Sequence, residues 1–378
     1  MTDAKPLLEC RRCIMTSKAD PDLELDAEGI CNHCRRYDTL LPIRVLKGEA
    51  GKAELERIVA KIKADGKGKE YDCLIGVSGG VDSTYVAYLT KQLGLRPIAV
   101  HLDNGWNSEL AVKNIERTME KLGIDLYTEV LDWNEFRDLQ LSFLKSSTTD
   151  MEIPTDHAIL SVMWRQAVKR NIKYIISGMN FQTESTHVLS WVYGHWDWTY
   201  IKAVHRHFGG RPLRTFPHFS YLYLFYVHVL RAVRSVSILN YLDFEKPKAM
   251  EVLQDELGWQ YYGGKHYESV YTRFMQGYIL PTKFGVDKRH GHLSDLIRSG
   301  QMTREQALEE IAKPPYPADL FAKDYAFVLK KFGITDEQFQ AMMQEPVKTF
   351  RDYKNSEWMS RLLRRSITFA RRVGLYPR

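Results

Sequence analysis

Apolar positions along the chain follow two regimes. From Asp72 to Ser177, short apolar runs alternate with longer stretches of helical spacing. Asp72–Val77, Pro97–Leu102, Leu126–Leu131 and Lys173–Ser177 read as buried strands. Between them lie the predicted helices Ser83–Leu93, Ser108–Leu122 and Asp156–Lys169. Gly94 and Gly123 stop the first two, and Thr155 or Asp156 is the expected N-cap of the third, after Pro154. Strands that alternate with helices predict a parallel sheet covered on both faces, with ligands beyond the C-terminal strand ends. A helix over Ala53–Ala64 precedes this unit. Past about residue 240 helical spacing dominates, at Pro247–Leu257, Tyr267–Tyr278, Leu293–Ser299, Thr303–Ile311 and Asp336–Met343. The apolar run Phe219–Leu230 includes His228 and is expected to be a core helix.

The 378 residues, 44% hydrophobic and 26% charged, exclude disorder, collagen and coiled coil. No uncharged apolar run is long enough to span a membrane, and the first ten residues carry no apolar leader core. A cytoplasmic protein is expected. The net charge of +6 is concentrated between Ala341 and Arg378, where nine Lys and Arg face three acids. A solvated helix face explains this better than a nucleic-acid channel, which needs a wider basic surface.

Four of the five cysteines form a C-x2-C-x17-C-x2-C pattern: Cys10, Cys13, Cys31 and Cys34. Two such knuckles can fold together and present four thiolates tetrahedrally to Zn2+. A closed set of four thiolates makes the metal structural. His33, inside the second knuckle, is a weaker ligand candidate. Cys73 sits in a predicted strand and reads as a core residue.

The chemistry concentrates where the first strand ends, at Ile75-Gly-Val-Ser-Gly-Gly-Val-Asp-Ser-Thr84. Small residues there let the backbone approach an anion, and the following helix aims its first amides at it. Gly76, Ser78, Gly79, Gly80, Val81, Asp82, Ser83 and Thr84 are the expected phosphate-binding residues. An aspartate beside phosphate calls for an intervening cation, so Asp82 reads as a Mg2+ ligand. The loop is neither a Walker motif nor G-x-G-x-x-G.

SGGVDS after an apolar strand resembles the PP-loop of the ATP pyrophosphatase superfamily. The resemblance implies an adenine nucleotide alpha hydrolase-like, Rossmann-like α/β sheet that cleaves ATP between the α- and β-phosphates. It places His101 and Asp103, at the second strand end, on the adenosine. It also implies that Gly178 lies near the nucleotide and Glu184 on the Mg2+.

Two acceptor chemistries compete: amination by ammonia and tRNA sulfuration. Sulfuration enzymes of the superfamily need catalytic cysteines, and Cys73 alone cannot supply a set. The zinc knuckle keeps a PP-loop tRNA sulfurtransferase as the alternative. The same shortage leaves no cysteine for glutamine hydrolysis, so ammonia is expected from a separate subunit.

The segments Tyr261-Tyr-Gly-Gly-Lys-His-Tyr-Glu-Ser269 and Lys283-Phe-Gly-Val-Asp-Lys-Arg-His-Gly-His-Leu-Ser294 sharpen the acceptor. With the knuckle and PP-loop, they make the whole chain similar to the N-acetyl sugar amidotransferase (WbpG/PseA-like) family of lipopolysaccharide O-antigen and surface-sugar biosynthesis. The resemblance implies an ATP-dependent enzyme that turns an N-acetyl group of a sugar or UDP-linked sugar into an acetamidino group. Glutaminase- and cyclase-like partners would supply the ammonia. Lys265, Lys283, Lys288 and Arg289, with His290 and His292, gather cationic groups that suit an anionic substrate or leaving group. Asp82, Lys265, Lys283, Lys288 and Arg289 form the expected catalytic set. The expected organisation is a zinc knuckle over 1–45, a PP-loop domain over 46–240 and a mainly helical substrate and partner region over 241–378.

Overall fold

The computed structural model describes residues 6–264, 266–362 and 365. Helices α1 (Asn32–Arg44) and α2 (Gly48–Asp65) lead into β1 (Cys73–Gly76), α3 (Val81–Gln92), β2 (Pro97–Asp103), α4 (Glu109–Leu122) and β3 (Asp125–Val130). Then follow α5 (Trp133–Lys145), α6 (Ile153–Lys169), β4 (Tyr174–Ile176), α7 (Trp198–Phe208), α8 (Tyr221–Phe225) and β5 (Arg234–Val236). The five strands form one parallel sheet in the order β3-β2-β1-β4-β5. The order reverses between β1 and β4, which makes the crevice beyond their C-terminal ends the place for a ligand.

Residue alternation along β1 distributes the core. Cys73 and Ile75 pack with α2, α3 and α4 on one face, while Leu74 packs with Val162 and Met163 of α6 on the other. Helix α9 (Lys246–Leu257) joins the first face through Leu253 and Leu257. Trp259, just past it, is buried in the same core, so this packing continues beyond residue 240.

The remaining helices are α10 (Val270–Phe274), a π-helical continuation over Met275–Phe284, α11 (Arg289–Arg298), α12 (Arg304–Ala312), α13 (Ala318–Phe332) and α14 (Asp336–Gln344). The first two, α13 and α14 share one core with α5, α7 and the four-cysteine segment, whereas α11 and α12 pack with Ile14 in a smaller cluster through Leu293 and Ala307. Capping boxes at Thr303 with Gln306 and at Thr335 with Gln338 set the starts of α12 and α14.

Two expectations change. Helix α6 begins three residues early: Pro154 lies in its first turn, where a missing amide costs nothing, and neither Thr155 nor Asp156 is the cap. Only part of the run Phe219–Leu230 is core. Phe219, Leu224 and Val227 are buried, whereas Leu222 is 83% and Leu230 66% exposed. Most of the arginine-rich end, from Arg364 onward, lies outside the described residues apart from Arg365.

Candidate active site

The four cysteine thiols are wholly buried, and their sulfurs lie within 4.8 Å of one another. The Cys10–Cys34 and Cys13–Cys31 sulfurs are 3.9 and 3.7 Å apart. A zinc ion bonded to four sulfurs at about 2.3 Å sets tetrahedral edges of about 3.8 Å, so the set fits the metal. The amides of Cys13 and Cys31 point at the Cys10 sulfur, as suits a thiolate. His33 is not a fifth candidate, because its Nε2 is 2.6 Å from Asp20. The knuckle braces the C-terminal helices: Arg304 bonds the Cys13 carbonyl and His290 donates to that of Ile14.

The glycine loop leaves β1 and turns into α3. Gly79 has φ +80°, and a Cβ there would lie 2.5 Å from the Ala111 carbonyl, so only glycine fits. Gly178, just past β4, packs tightly, since a Cβ there would meet the Asp82 and Ser83 backbone at 3.1–3.3 Å. These two strand ends enclose the start of α3. Ser78 and Ser83 share a hydroxyl contact at 3.2 Å. The Thr84 hydroxyl is buried and donates to the Gly80 carbonyl at 2.7 Å, so Thr84 offers its backbone rather than its side chain to an anion. Lys246, at the first turn of α9, lies 3.8 Å from the Asp82 carboxylate.

A strap from the C-terminal half crosses this loop. Trp259 Nε1 donates to the Gly79 carbonyl at 2.9 Å, and the Val81 amide donates to the Tyr262 hydroxyl at 3.3 Å. The Glu268 carbonyl accepts the Ser108 amide. Burial alone would raise the Glu268 carboxyl, but the His266 imidazole, 3.8 Å away, holds it below its usual value. His101 closes the other side. Its Nδ1–H donates to the Val77 carbonyl, which leaves Nε2 to accept from Asn107. Asp103 Oδ1 accepts the Gly105 amide at 2.8 Å.

Asp150, Glu152 and Asp156 lie at and just before the first turns of α6, and Asp150 accepts the Tyr193 amide at 3.3 Å. Burial pushes Glu152 up to about 7, and Asp150 and Asp156 up to about 6. The opposing positive charge on all three comes from Lys288. Thr272 donates its hydroxyl to Glu152 at 2.6 Å. The neighbouring Tyr271 hydroxyl is buried without a hydrogen-bond partner among the described residues.

Of the expected catalytic cations, Lys288 is the one whose charge acts on these three carboxyls. Lys283 instead caps the end of α14, donating to the Met342 and Glu345 carbonyls. Arg289 is held by Asp287 and by the Lys313 carbonyl at 2.9 Å, at the end of α12. Unsatisfied helix-end carbonyls captured both side chains. Lys265 lies outside the described residues. Glu184 follows β4, between Thr183, bonded to Asn180, and Ser185, bonded to Asp295. His292 stays near His266, with ring centroids 5.7 Å apart. The tryptophans after Glu184 are mainly structural: Trp191 donates to the Ala19 carbonyl and Trp198 stacks on His218.

Residues 268–365 match the family model "LPS biosynthesis protein WbpG-like, C-terminal domain". An uncharacterized protein of Methanocaldococcus jannaschii is 24% identical over 320 residues, covering 83% of this chain and 96% of its own. The glutamine-hydrolyzing GMP synthase of Pyrobaculum aerophilum is 31% identical over 132 residues, 33% of this chain and 24% of that protein. Among solved structures, NMN synthetase from Francisella tularensis overlaps 72% of this chain and 94% of its own, at 15% identity and TM-score 0.31. NH3-dependent NAD synthetase from Campylobacter jejuni overlaps 75% of this chain and 97% of its own, at 13% identity and TM-score 0.31. This chain carries a WbpG-like C-terminal domain, joined to a parallel α/β sheet whose first strand runs into the glycine-rich SGGVDS loop.

Proposed function

We propose that this protein is an ATP-dependent, AMP-forming amidotransferase acting on an N-acetylated sugar of the bacterial surface. The observation that carries the reading is the strap: the segment leading into the WbpG-like domain, with the domain's first matched residue Glu268, lies on the PP-loop through Tyr262 and Glu268. Nucleotide and acceptor would then share one crevice. The loop amides and the start of α3 hold the phosphates. Asp82 and Glu184 are the residues that would hold Mg2+, which would supply charge neutralisation at the pyrophosphate. Lys246 balances Asp82 from the other side. His101 and Asp103, at the end of β2, would contact the adenosine.

In this reading the acetamido oxygen attacks the α-phosphorus and pyrophosphate leaves. Ammonia then adds to the imidate carbon, and the C–O bond to AMP breaks. Ammonia comes from a separate glutaminase-like subunit, because burial and the neighbouring Asp72 push the Cys73 thiol well above its ordinary range. That thiol suits neither glutamine hydrolysis nor sulfur transfer. Phosphorus NMR of the protein with Mg-ATP, ammonium and UDP-linked N-acetylhexosamines tests the reading. AMP and pyrophosphate, formed only when a sugar is present, support it; ADP and phosphate contradict it.

A further inference from the structure

We propose that the outward face of the helical segment Tyr221–Leu230, with the cationic cleft beside it, docks this protein on an anionic lipid surface. The inference stands apart from the amidotransferase reading and uses none of its residues.

The segment is α8 and its π-helical continuation, Tyr226–Leu230. Leu222, Phe225, Tyr226, Val229 and Leu230 recur at i, i+3, i+4, i+7 and i+8, the spacing of one helix face. A helix of a globular protein normally turns such a stripe to the core. Here Leu224 and Val227 take the core side, clustered with Trp164 of α6, and the five stripe residues are 36–83% exposed. A contiguous apolar ridge held in water marks a contact surface. At about 1.5 Å per residue, ten residues extend about 15 Å, half the hydrocarbon core of a bilayer. The ridge can therefore lie in a membrane surface but not cross it.

Charge identifies what covers it. From Trp198 to Leu242 the chain carries six Lys and Arg (Lys202, Arg206, Arg211, Arg214, Arg231 and Arg234) and no Asp or Glu. None of the six forms an ion pair among the described residues. Two acids of α5 approach this stretch, and both are taken up by its backbone. Asp138 accepts the Gly210 and Arg211 amides at 3.0 Å and meets His205, while Glu135 accepts the amides of Arg214, Thr215 and Phe216. The loop is pinned, and its arginine side chains keep their charge for another partner.

Lys202, Arg206 and Arg211 line a cleft of about 460 Å³ that Trp198 helps to wall. This cleft adjoins the ridge. Trp198 stacks on His218 with ring centroids 4.3 Å apart, Arg165 donates to the His218 carbonyl at 2.8 Å, and two residues later Ser220 caps α8. At the far end, Arg231 directly follows Leu230.

An aliphatic and aromatic ridge bordered by unpaired cations is the pattern of an interfacial helix: acyl chains receive the ridge and headgroup phosphates meet the cations. A second copy of the chain would set cations against cations. A nucleic acid would satisfy the cations and leave Leu222, Val229 and Leu230 with no ring to stack on a base.

Sedimentation of the full chain with lipid vesicles tests the assignment. The protein should pellet with vesicles of phosphatidylglycerol and phosphatidylcholine, and bind pure phosphatidylcholine about ten-fold or more weakly, with the difference shrinking as salt rises. Leu222→Ser should weaken binding to the anionic vesicles about ten-fold, and Leu230→Ser serves as the ridge variant if the first does not fold. The double variant Arg206→Gln, Arg211→Gln should lose roughly 25-fold on anionic vesicles alone, about five-fold per cation. Inorganic phosphate should not release the bound protein. Wild-type protein that stays in the supernatant overturns the proposal. So does equal binding to both vesicle types, unchanged binding by a folded ridge variant, or release by inorganic phosphate. Self-association in the ultracentrifuge that is lost in Leu222→Ser and excludes vesicles would give the face to a second copy and overturns it equally.

Discussion

The Tyr262 hydroxyl lies 3.3 Å from the Val81 amide nitrogen, 181 residues away in the chain, and accepts its hydrogen bond. Val81 is the first residue of α3, where amides lack partners within the helix. A phosphate arriving at this loop must share or displace that contact. Trp259, bonded to the neighbouring Gly79 carbonyl, will sense the change. Trp259 emission should therefore shift when Mg-pyrophosphate or Mg-ATP binds, and Trp259→Phe should remove the shift. Emission indifferent to saturating nucleotide would separate the strap from phosphate binding.

Asp82→Asn keeps the size of the side chain and removes its charge. Developing charge on pyrophosphate then loses part of its counter-charge, which should lower turnover roughly 10²-fold or more. Binding of Mg-ATP should weaken less than turnover. Wild-type rates in Asp82→Asn would remove the aspartate from the metal role.

The knuckle should hold one zinc per chain, measured by plasma emission on protein purified without chelator. Its attachments to Arg304 and His290 tie it to the C-terminal helices, so chelation should lower Tm and expose that region to proteolysis. Cys10→Ser should reduce stability more than the kcat of the surviving folded protein. An iron–sulfur chromophore would contradict the zinc assignment.

Glu152 predicts an unusual stability profile. Burial raises Glu152 from 4.5 to about 7, so folding favours its protonated form. Its stabilising share is complete below the unfolded value and is lost as pH rises through about 7. Stability should fall between pH 5 and pH 8. Glu152→Gln should recover about 1–3 kcal/mol at pH 8. A denaturation series at both pH values checks this; a Glu152→Gln protein less stable than wild type at pH 8 contradicts it.

Local patterns made part of this site legible in the sequence. The strand-loop-helix around SGGVDS and the paired C-x2-C knuckles are both defined by neighbours in the chain. So is the αL glycine Gly123 that ends α4. Tyr262, Lys246 and Trp259 were missed as partners of the loop because topology alone brings them there. The signal for the strap lay in the run of residues 261–269, which stood out without showing what it covers. Residues 150–156 have no periodicity that marks them, and their chemistry arises from enclosure by distant elements. Lys283 and Arg289 show the converse: their composition suggested an anion site, and free helix-end carbonyls took both side chains.

The source of nitrogen is the most direct measurement of the central claim. Purified chain is incubated with Mg-ATP, ammonium bearing heavy nitrogen, glutamine and UDP-linked N-acetylhexosamines, and sugar products are read by mass spectrometry. The account predicts a sugar in which one acetamido oxygen has become heavy nitrogen, formed in step with AMP and pyrophosphate and unaffected by Cys73→Ser. Label-free product drawn from glutamine by the single chain, or AMP released without nitrogen entering a sugar, would contradict it.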